Sequence, residues 1–419
     1  MQYLKKSGYN FYSLCRSCGK KLSKPVIDLG EVPLAGGFLT SKKQFTKEKL
    51  YPLTLSFCSN CYLLQTNQVI NSSTLFKNYF YFSSKIKTLV EHFKSLANDL
   101  SKQYYNPNNK LIVEIGCNDG SFLNACLNRG FKVFGIDPAT NIVSPLIKKG
   151  MPIINGYFSQ RLAKKIIKKY GKADVIFSSN TLAHIEDMHD VFTGIKNLLK
   201  DDGQFIFEVH YLGKLIKEMQ YDMIYHEHQY YYSLHAVQNY LKKHNLEVFD
   251  IKLIPTHAGS IRFYVKHSAY KKEIKVSVSN LLKQEQKLGL LDKNTFKQFN
   301  SKIKATKKDL LSVLSELKKQ NKTLAGYGAS GRGTIIMNYC GLNRSFLDNV
   351  IDDAPAKQGA FTPGTHLEIV SSESLHKSDR PDYVLLFAWS FWEEIKKRNK
   401  NYIKNGGKFI IPLPKVKVI

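Results

Sequence analysis

Residues 110–123 read Lys110-Leu-Ile-Val-Glu-Ile-Gly-Cys-Asn-Asp-Gly-Ser-Phe-Leu123, and this stretch determines which fold we predict for the centre of the chain. The apolar run 111–115 predicts a buried strand. A turn containing Gly116 and Gly120 follows, and a helix is expected to begin near Ser121. Glycines let the backbone approach a ligand at the carboxyl end of a strand. The unit therefore predicts an α/β sheet with a ligand site at its edge.

An acidic residue ends the next predicted strand. Residues 131–137 read Phe-Lys-Val-Phe-Gly-Ile-Asp, which places Asp137 about 20 residues after the turn, where a carboxylate can accept hydrogen bonds from ribose hydroxyls. The turn is not G-x-G-x-x-G. The form E-x-G-x-x-x-G, followed by an acid-ended strand, suits S-adenosylmethionine (SAM) better than NAD.

Two more apolar runs, 173–177 and 203–209, predict further strands of the same sheet. Strands that alternate with helices favour a parallel, doubly wound sheet that binds ligands at its strand ends. Polar residues follow the first run directly, and Glu208 lies near the end of the second. The candidate cofactor-binding residues are Glu114, Gly116, Asn118, Asp119, Gly120, Asp137, Ser179 and Asn180.

A cluster of ionisable residues follows the last of these strands. Residues 225–228 read Tyr-His-Glu-His and lie within the tyrosine-rich segment 220–233. Ionisable groups crowded among aromatic rings acquire shifted pKa values, and such groups are concentrated at functional sites. A histidine can take a proton from a substrate carbon near neutral pH. We interpret the cluster as a catalytic base with helpers. A metal-binding histidine pair on an extended segment and a hydrogen-bonded structural cluster are the alternatives.

Two Cys-x-x-Cys pairs lie near the N-terminus. The odd total of seven cysteines argues against a full disulfide framework. Each pair directs two thiolates to one point, so two pairs complete a tetrahedral zinc site, and a redox-active Cys-x-x-Cys is the alternative. A closed four-thiolate site leaves no open coordination position, so we expect this zinc to be structural. The predicted ligands are Cys15, Cys18, Cys58 and Cys61.

A second glycine-rich loop lies in the C-terminal part of the chain. It reads G-x-G-x-x-G at Gly326, Gly328 and Gly331, between a predicted strand and a predicted helix, and Asp352 follows the next strand. These features meet the dinucleotide fingerprint, so an NAD(P)-dependent enzyme is an alternative function. Arg332 after the loop favours a phosphate or pyrophosphate at the helix N-terminus.

The composition narrows the classes of protein. The net charge of +28 favours anionic partners, but the lysines are spread along the whole chain. We therefore expect no nucleic-acid partner, and a zinc-containing nucleic-acid-binding protein is a minor hypothesis. The sequence contains no apolar run of about 18 residues, so we predict no membrane span. The first residues lack the apolar core of a signal peptide, so a cytoplasmic location is predicted.

Together these motifs resemble the sugar C-methyltransferase family, whose members act on nucleotide-linked keto-deoxysugars in antibiotic and surface-polysaccharide pathways. The resemblance covers nearly the whole chain. It rests on the two Cys-x-x-Cys pairs, Y-F-S-S at 81–84, E-x-G-x-N-D-G at 114–120, Y-H-E-H at 225–228, G-Y-G-A at 326–329 and K-Q-G-x-x-T-P-G-T at 357–365.

The resemblance implies an α/β protein with a small zinc-binding domain followed by two doubly wound, Rossmann-like domains. The implied domains are zinc-binding (1–75), SAM-dependent methyltransferase (76–250) and C-terminal Rossmann-like (251–419), the last helping to hold the nucleotide-sugar. A monomer or weak dimer is expected.

The resemblance also implies a reaction. A base removes the proton beside a keto group, and the resulting enolate attacks the methyl group of SAM. His228 is the implied base, Tyr225 and Glu227 orient it or stabilise the enolate, and Tyr79 or Tyr81 approaches the sugar.

The implied nucleotide-sugar contacts include two departures from the family pattern. The usual H-G-G-S is H-A-G-S at residues 257–260, and arginine replaces a usual lysine at position 332. For His257 and Arg262, exposure without a ligand is the alternative to contact with an anion. An NAD(P)-dependent nucleotide-sugar oxidoreductase or epimerase and an O-methyltransferase on the same scaffold are the alternative functions. The candidate substrate residues are His226, His257, Arg262, Tyr327 and Arg332.

Overall fold

The computed structural model describes residues 3–76 and 82–419. The candidate residues Tyr79 and Tyr81 therefore lie outside the described part. Within the described ranges, no helix combines the length and apolar character that a bilayer crossing needs.

The strands and helices follow one another along the whole described chain. The strands are β1 (Leu4–Lys6), β2 (Tyr9–Phe11), β3 (Ile27–Val32), β4 (Tyr51–Phe57), β5 (Leu64–Thr66), β6 (Gln68–Ile70), β7 (Leu111–Ile115), β8 (Lys132–Asp137), β9 (Ile153–Asn155), β10 (Ala173–Ser179), β11 (Leu199–His210), β12 (Tyr230–Tyr231), β13 (Leu246–Ile254), β14 (Ser260–His267), β15 (Leu324–Tyr327), β16 (Val350–Ile351), β17 (Ile369–Val370), β18 (Tyr383–Leu386), β19 (Lys408–Ile411) and β20 (Lys417–Val418). The α-helices are α1 (Ser72–Phe76), α2 (Lys87–Gln103), α3 (Ser121–Leu127), α4 (Thr140–Lys148), α5 (Gln160–Tyr170), α6 (Met188–Leu198), α7 (Leu212–Lys217), α8 (Leu234–Lys242), α9 (Val276–Lys287), α10 (Lys293–Lys319), α11 (Gly331–Cys340), α12 (Trp392–Arg398) and α13 (Lys400–Lys404).

A seven-stranded sheet forms the centre of the molecule, in the order β9-β8-β7-β10-β11-β14-β13. The first five of these strands are parallel, and every residue of β7 is buried, as expected for a strand covered by helices on both faces. The strand order reverses between β7 and β10, which creates a crevice at their carboxyl ends. The predicted strands and the helix start at Ser121 are confirmed.

The expected boundary between residues 250 and 251 falls inside β13, a strand of the central sheet, and stays a prediction. β14 lies beyond it but pairs with β11, with Glu208 opposite Arg262 and Phe205 opposite Val265. Without β14, the edge of β11 would expose unpaired backbone groups. The methyltransferase-like sheet therefore extends to His267.

A second α/β sheet lies in the C-terminal part, in the order β17-β16-β15-β18-β19-β20, with only the β19–β20 pair antiparallel. Helix α11 begins directly after the G-x-G-x-x-G loop, and the Ser330 hydroxyl accepts a hydrogen bond from the Gly333 amide as its N-cap. The prediction of two Rossmann-like sheets after a small cysteine-containing domain is confirmed.

The N-terminal part consists of two small antiparallel sheets, β1-β2-β6 and β12-β5-β4-β3. Its fourth strand, β12, comes from far along the chain, directly after residues 225–228, and pairs Tyr230 with Gln65. On the other side of this part, the ring of Phe57 packs against Phe296 of α10 with a centroid distance of 4.7 Å. The N-terminal part thus packs against helix α10. It also pairs with β12, which directly follows the candidate catalytic segment.

The long helix α10 provides a test of this packing. Leu310 is fully buried on its apolar stripe. We predict that Leu310→Ala lowers the free energy of unfolding by about 2–5 kcal/mol, because truncation leaves a cavity. Lys308→Ala on the exposed face of the same helix is the matched control. Equal urea unfolding curves for the two variants would contradict the packing described.

Candidate active site

Residues 221–228 form a turn rather than an extended strand. A short 3-10 helix over Tyr221–Met223 begins it, and the amide of His228 donates to the Tyr225 carbonyl at 2.9 Å. The turn then passes directly into β12. Because the backbone curves here, His226 and His228 point in different directions.

His228 is held in the protonation state that a base requires. Its Nδ1 lies 2.9 Å from the Met223 carbonyl oxygen. A carbonyl can only accept, so Nδ1 carries the hydrogen and Nε2 keeps its lone pair. Burial, aided by the nearby His184, lowers the pKa of His228 well below 6.5. The ring is therefore neutral near pH 7 and can accept a proton at Nε2.

Two aromatic rings surround His228. The Tyr225 ring lies 4.0 Å away between centroids and the His184 ring 5.2 Å away. Burial lowers the pKa of His184 to about 4, so this second imidazole is also neutral. Sequence analysis did not select His184, although it follows the carboxyl end of β10, where polar residues of a parallel sheet commonly face the ligand crevice.

Glu227 lies beside a loop of the N-terminal part. A Cβ atom placed on Gly36 would lie 3.6 Å from Glu227 Oε1, so the carboxyl group faces the loop 33–38. Burial raises the pKa of Glu227 to about 7. The carboxyl group is thus able to donate a hydrogen bond in its neutral form close to physiological pH.

His226 is directed away from this group. It is 1% exposed, its Nε2 donates to the Pro52 carbonyl at 3.1 Å, and Tyr51 packs edge-on against its ring. The structure therefore places His226 in the packing against β4 rather than among the substrate-binding residues, where it was expected.

His210 and Gln220 are a further polar pair that sequence analysis did not select. Gln220 Nε2 donates to the Ala258 carbonyl, which fixes the direction of its amide group. Its Oε1 therefore accepts from His210 Nε2 at 2.8 Å. Burial lowers the pKa of His210 to about 3. His210 ends β11, again at the carboxyl edge of the sheet.

The turn after β7 has the geometry of a close backbone approach. Gly116 has φ +79°, and a Cβ there would lie 2.0 Å from Thr181 Oγ1, so another residue does not fit. Asp137 accepts the amides of Asn118 and Ala139 at 2.9 and 2.8 Å. The acid that ends β8 therefore fixes the shape of the turn.

The segment that follows the undescribed residues closes over this turn. The Ser83 amide donates to Asn118 Oδ1 at 3.0 Å, and the Ser84 amide donates to Asp119 Oδ2 at 2.9 Å. Ser83 and Ser84, the two serines of the Y-F-S-S motif, thus contact the turn of the E-x-G-x-N-D-G motif.

Glu114 provides a test of whether SAM fits here. It is buried, and its Oε2 has no hydrogen-bond partner among the described residues. Burial and the charges of Asp137 and Asp119 raise the pKa of Glu114 well above 4.5. A glycine turn beside an incompletely bonded buried acid fits a ligand that brings its own donors, as SAM does.

A buried ion pair lies near the carboxyl ends of β10 and β11, beside the turn after β7 (the candidate cofactor turn). Arg262 Nε donates to Glu208 Oε1 at 2.7 Å, and His92 Nε2 lies 2.8 Å from the same oxygen. Ser179 Oγ donates to Glu208 Oε2 at 3.2 Å, and the Asn180 amide donates to the Glu208 carbonyl. Burial alone would raise the pKa of Glu208, but His92 and Arg262 outweigh it and hold the pKa below 4.5.

This pairing changes the expected role of Arg262. The side chain is 3% exposed, so it is neither a surface group nor an open anion contact. Glu208 on the opposing strand neutralises its charge.

His257, by contrast, is half-buried at φ +51°, and burial lowers its pKa below 6.5.

Arg332 and Tyr327, the candidate substrate residues in the C-terminal part, also form hydrogen bonds with other side chains of the protein. Arg332 Nε donates to Asp222 Oδ2 at 2.8 Å, and Trp389 Nε1 donates to the same oxygen at 2.9 Å. The Tyr327 hydroxyl donates to Asp353 at 2.8 Å. The phosphate contact expected for Arg332 is thus replaced by an ion pair that joins α11 to the start of the candidate catalytic turn.

The four N-terminal cysteines meet at one point. Their sulfurs all lie within 4.8 Å of one another, with 3.5 Å between Cys15 and Cys61 and 3.4 Å between Cys18 and Cys58. Zinc–sulfur bonds of about 2.3 Å in a tetrahedron place sulfurs about 3.8 Å apart. The cluster therefore fits the predicted zinc ion.

Three parts of the chain match described protein families. Residues 255–414 match "C-methyltransferase C-terminal domain", residues 89–251 match "Methyltransferase domain" and residues 15–76 match "Putative zinc binding domain". The order of the matches agrees with the order of the sheets.

Individual proteins show the same similarity. The C-methyltransferase NovU of Streptomyces niveus is 32% identical over 405 residues, which cover 97% of this chain and 96% of NovU. The tRNA U34 carboxymethyltransferase of Helicobacter acinonychis (strain Sheeba) is 30% identical over 137 residues, covering 30% of this chain and 50% of that protein. The structure of magnesium protoporphyrin IX methyltransferase (ChlM) from Synechocystis PCC 6803 with bound SAM covers 42% of this chain and 79% of its own, at 15% identity. Its TM-score of 0.32 supports no conclusion.

The Asp222–Arg332 pair predicts a measurable coupling. Asp222→Asn removes the buried negative charge that lies opposite Arg332. We expect this change to lower the free energy of unfolding by about 3–5 kcal/mol. Asp201→Asn, which removes the exposed partner of Lys172, is the matched control and should leave stability unchanged. Denaturant unfolding measures both, and an Asp222→Asn curve that overlays the Asp201→Asn curve would show that the pair does not join the two parts.

Proposed function

The chain belongs to the C-methyltransferase family, and we propose that it deprotonates and then methylates a carbon of a nucleotide-linked keto-deoxysugar. The SAM-dependent methyltransferase activity and the resemblance drawn from the motifs are confirmed by this membership. The sugar substrate, the reaction steps and the site roles are the proposal.

The tautomer of His228 is the observation that carries the proposal. Its Nδ1 hydrogen is committed to the Met223 carbonyl, so Nε2 is the basic atom. The neighbouring His184 is linked to the cofactor turn, because its amide donates to Thr181, the residue that packs against Gly116. The base and the glycine turn therefore belong to one continuous site.

These positions support the following reaction. Bound SAM supplies an electrophilic methyl group on a sulfonium. His228 Nε2 takes the proton from the carbon beside the keto group, and the electron pair of the broken C–H bond moves onto the keto oxygen as an enolate. With SAM bound, the nucleophilic carbon would form the new carbon–carbon bond to the methyl group as the sulfur–methyl bond breaks and S-adenosylhomocysteine leaves, while the abstracted proton stays on the His228 imidazole.

Glu227 is suited to stabilise the enolate. In its neutral form the carboxyl group donates a hydrogen bond, and such a donor is most effective in a site that excludes bulk water. Its raised pKa supplies that neutral form near pH 7. Loop 33–38 of the N-terminal part covers this side of the site.

An anionic substrate suits the rest of the chain. The net charge is +28, and α11 begins at the end of β15 with the backbone amides of Gly331 and Arg332, while Ser330 caps the amide of Gly333. Such amides bind phosphate groups well. A nucleoside diphosphate attached to the sugar would provide such phosphate groups.

Methyl transfer to a panel of nucleotide-linked keto-deoxysugars tests the substrate. The enzyme, SAM and a 4-keto-6-deoxy nucleotide-sugar should yield a product heavier by the mass of one CH2 unit, with the new methyl group bonded to carbon in its NMR spectrum. SAM binding with no transfer to any keto sugar would overturn the proposed substrate, and an oxygen-bound methyl would establish the O-methyltransferase alternative.

His228→Asn tests the base. We expect it to fold, to bind SAM with unchanged affinity and to lose at least about 100-fold in turnover, as for the loss of a general base. His267→Asn, which alters a histidine on β14 bonded to the Leu199 carbonyl, is the control. Turnover of His228→Asn near that of the control would reject His228 as the base.

The pH dependence tests the acid. If neutral Glu227 donates to the enolate, kcat/KM falls as pH rises through its pKa of about 7. It also falls at low pH, as His228 becomes protonated below its lowered pKa. Glu227→Gln keeps a donor at every pH, so the alkaline fall should vanish while the acid fall persists. An unchanged alkaline limb in this variant would exclude the role.

A further inference from the structure

Arg16 is a buried cation inside the first Cys-x-x-Cys pair. It is 2% exposed. Its Nη1 donates to Gln229 Oε1 at 2.7 Å, and its Nη2 donates to the carbonyls of Gln229 and Thr66, both at 2.9 Å. The face of the guanidinium lies 4.3 Å from the ring centroid of Tyr230. A buried charge is costly to fold unless its donors are satisfied, and here they are directed to particular oxygens.

Gln229 receives most of these contacts, and it directly follows His228. Its own amide donates to the Ala183 carbonyl at 2.7 Å, and its Nε2 donates to the His184 carbonyl at 3.0 Å. Gln229 therefore connects Arg16 to the backbone of His184 and, through its own peptide unit, to the backbone of His228, the two residues that carry the neutral imidazoles.

The other end of the connection is a zinc ligand. Gln65 Oε1 accepts from the Arg16 amide at 3.0 Å and from Arg16 Nε at 3.3 Å. The Nε2 atom of the same glutamine donates to Cys15 Sγ at 3.1 Å. Arg16 also follows Cys15 directly in the chain, so metal binding at Cys15 fixes both its backbone and its acceptor.

We propose that Arg16 is a positioning residue that transmits the fixed geometry of the zinc site, through Gln229, to His184 and His228. The inference rests on the proposed function of His228 as the base. It gives the metal a role in catalysis through protein contacts alone, with no open coordination position.

The shape of the guanidinium makes this connection specific. Arg16 reaches Gln65, Thr66 and Gln229 at once because its donors form a planar fork. A lysine keeps the charge but has a single nitrogen and cannot reproduce the fork. Arg16→Lys therefore separates the geometric role from the electrostatic one.

Two variants and one control test the proposal. Arg16→Lys removes the fork, and Gln229→Met removes the shared acceptor and donor from outside the metal site. Arg129→Lys is the matched control, because Arg129 donates to the Ala125 carbonyl on α3, away from the turn. Zinc content and SAM affinity are measured for all three, and 15N-histidine spectra report the imidazole environments.

We expect Arg16→Lys and Gln229→Met to keep zinc and SAM affinity, to shift the imidazole signals of His184 and His228, and to lower kcat by about 10–100-fold, as for supporting contacts around a site. His267 should keep its signal. If Arg16→Lys does not fold, Gln229→Met supplies the same readout.

Unshifted His184 and His228 signals in a folded variant would overturn the proposal, as would the same shifts in Arg129→Lys. Absence of methyl transfer to keto sugars by the wild-type protein would instead reject the proposed function. The two failures are distinguishable because the spectra need no substrate.

Discussion

Backbone pairing of residues 230–232 with the N-terminal sheet on one side and with the end of β11 on the other is the constraint on which the site depends. Tyr230 and Tyr231 pair with β5, while Tyr232 bridges to Tyr211 at the end of β11. One short extended segment thus joins the small N-terminal part to the central sheet. The turn that precedes it has both ends fixed, and His228 lies in that turn. The orientation of His228, the proposed base, therefore depends on contacts from both the N-terminal part and the central sheet.

Burial then sets the chemistry of the turn. Removal from water disfavours the charged form of an ionisable group. In this site it disfavours both the cationic form of the histidines and the anionic form of Glu227. It lowers the pKa of His184 to about 4 and raises the pKa of Glu227 to about 7. The two histidines are then neutral near pH 7, and Glu227 changes between its neutral and ionised forms close to that pH. The proposed proton abstraction from carbon needs an unprotonated base, and a hydrogen-bond donor such as neutral Glu227 would stabilise the enolate.

Much of the fold follows from local sequence patterns. The strand at 111–115, the start of α3 and the cysteine cluster each depend on residues close together in sequence or on a strict metal geometry, and each was predicted. The extension of the sheet by β14 was not, because antiparallel pairing with β11 is a long-range choice that an apolar run alone does not specify.

The roles of the charged side chains depended still more on tertiary structure. Arg262 and Arg332 both suggested anion contacts, but each lies opposite a buried carboxylate, Glu208 and Asp222 respectively. The sequence shows that a residue is charged, but it does not show which residue lies opposite that charge in the fold. His184 was missed for the converse reason, since it becomes part of the site only when β10 and residues 225–228 are brought together.

Exchange of the substrate proton with solvent tests the central claim most directly. A 4-keto-6-deoxy nucleotide-sugar is incubated in D2O with the zinc-loaded enzyme and S-adenosylhomocysteine, and deuterium at the carbon beside the keto group is followed by NMR. The account predicts exchange by the wild-type protein and none above background by His228→Asn. Equal exchange by both proteins would show that another group removes the proton.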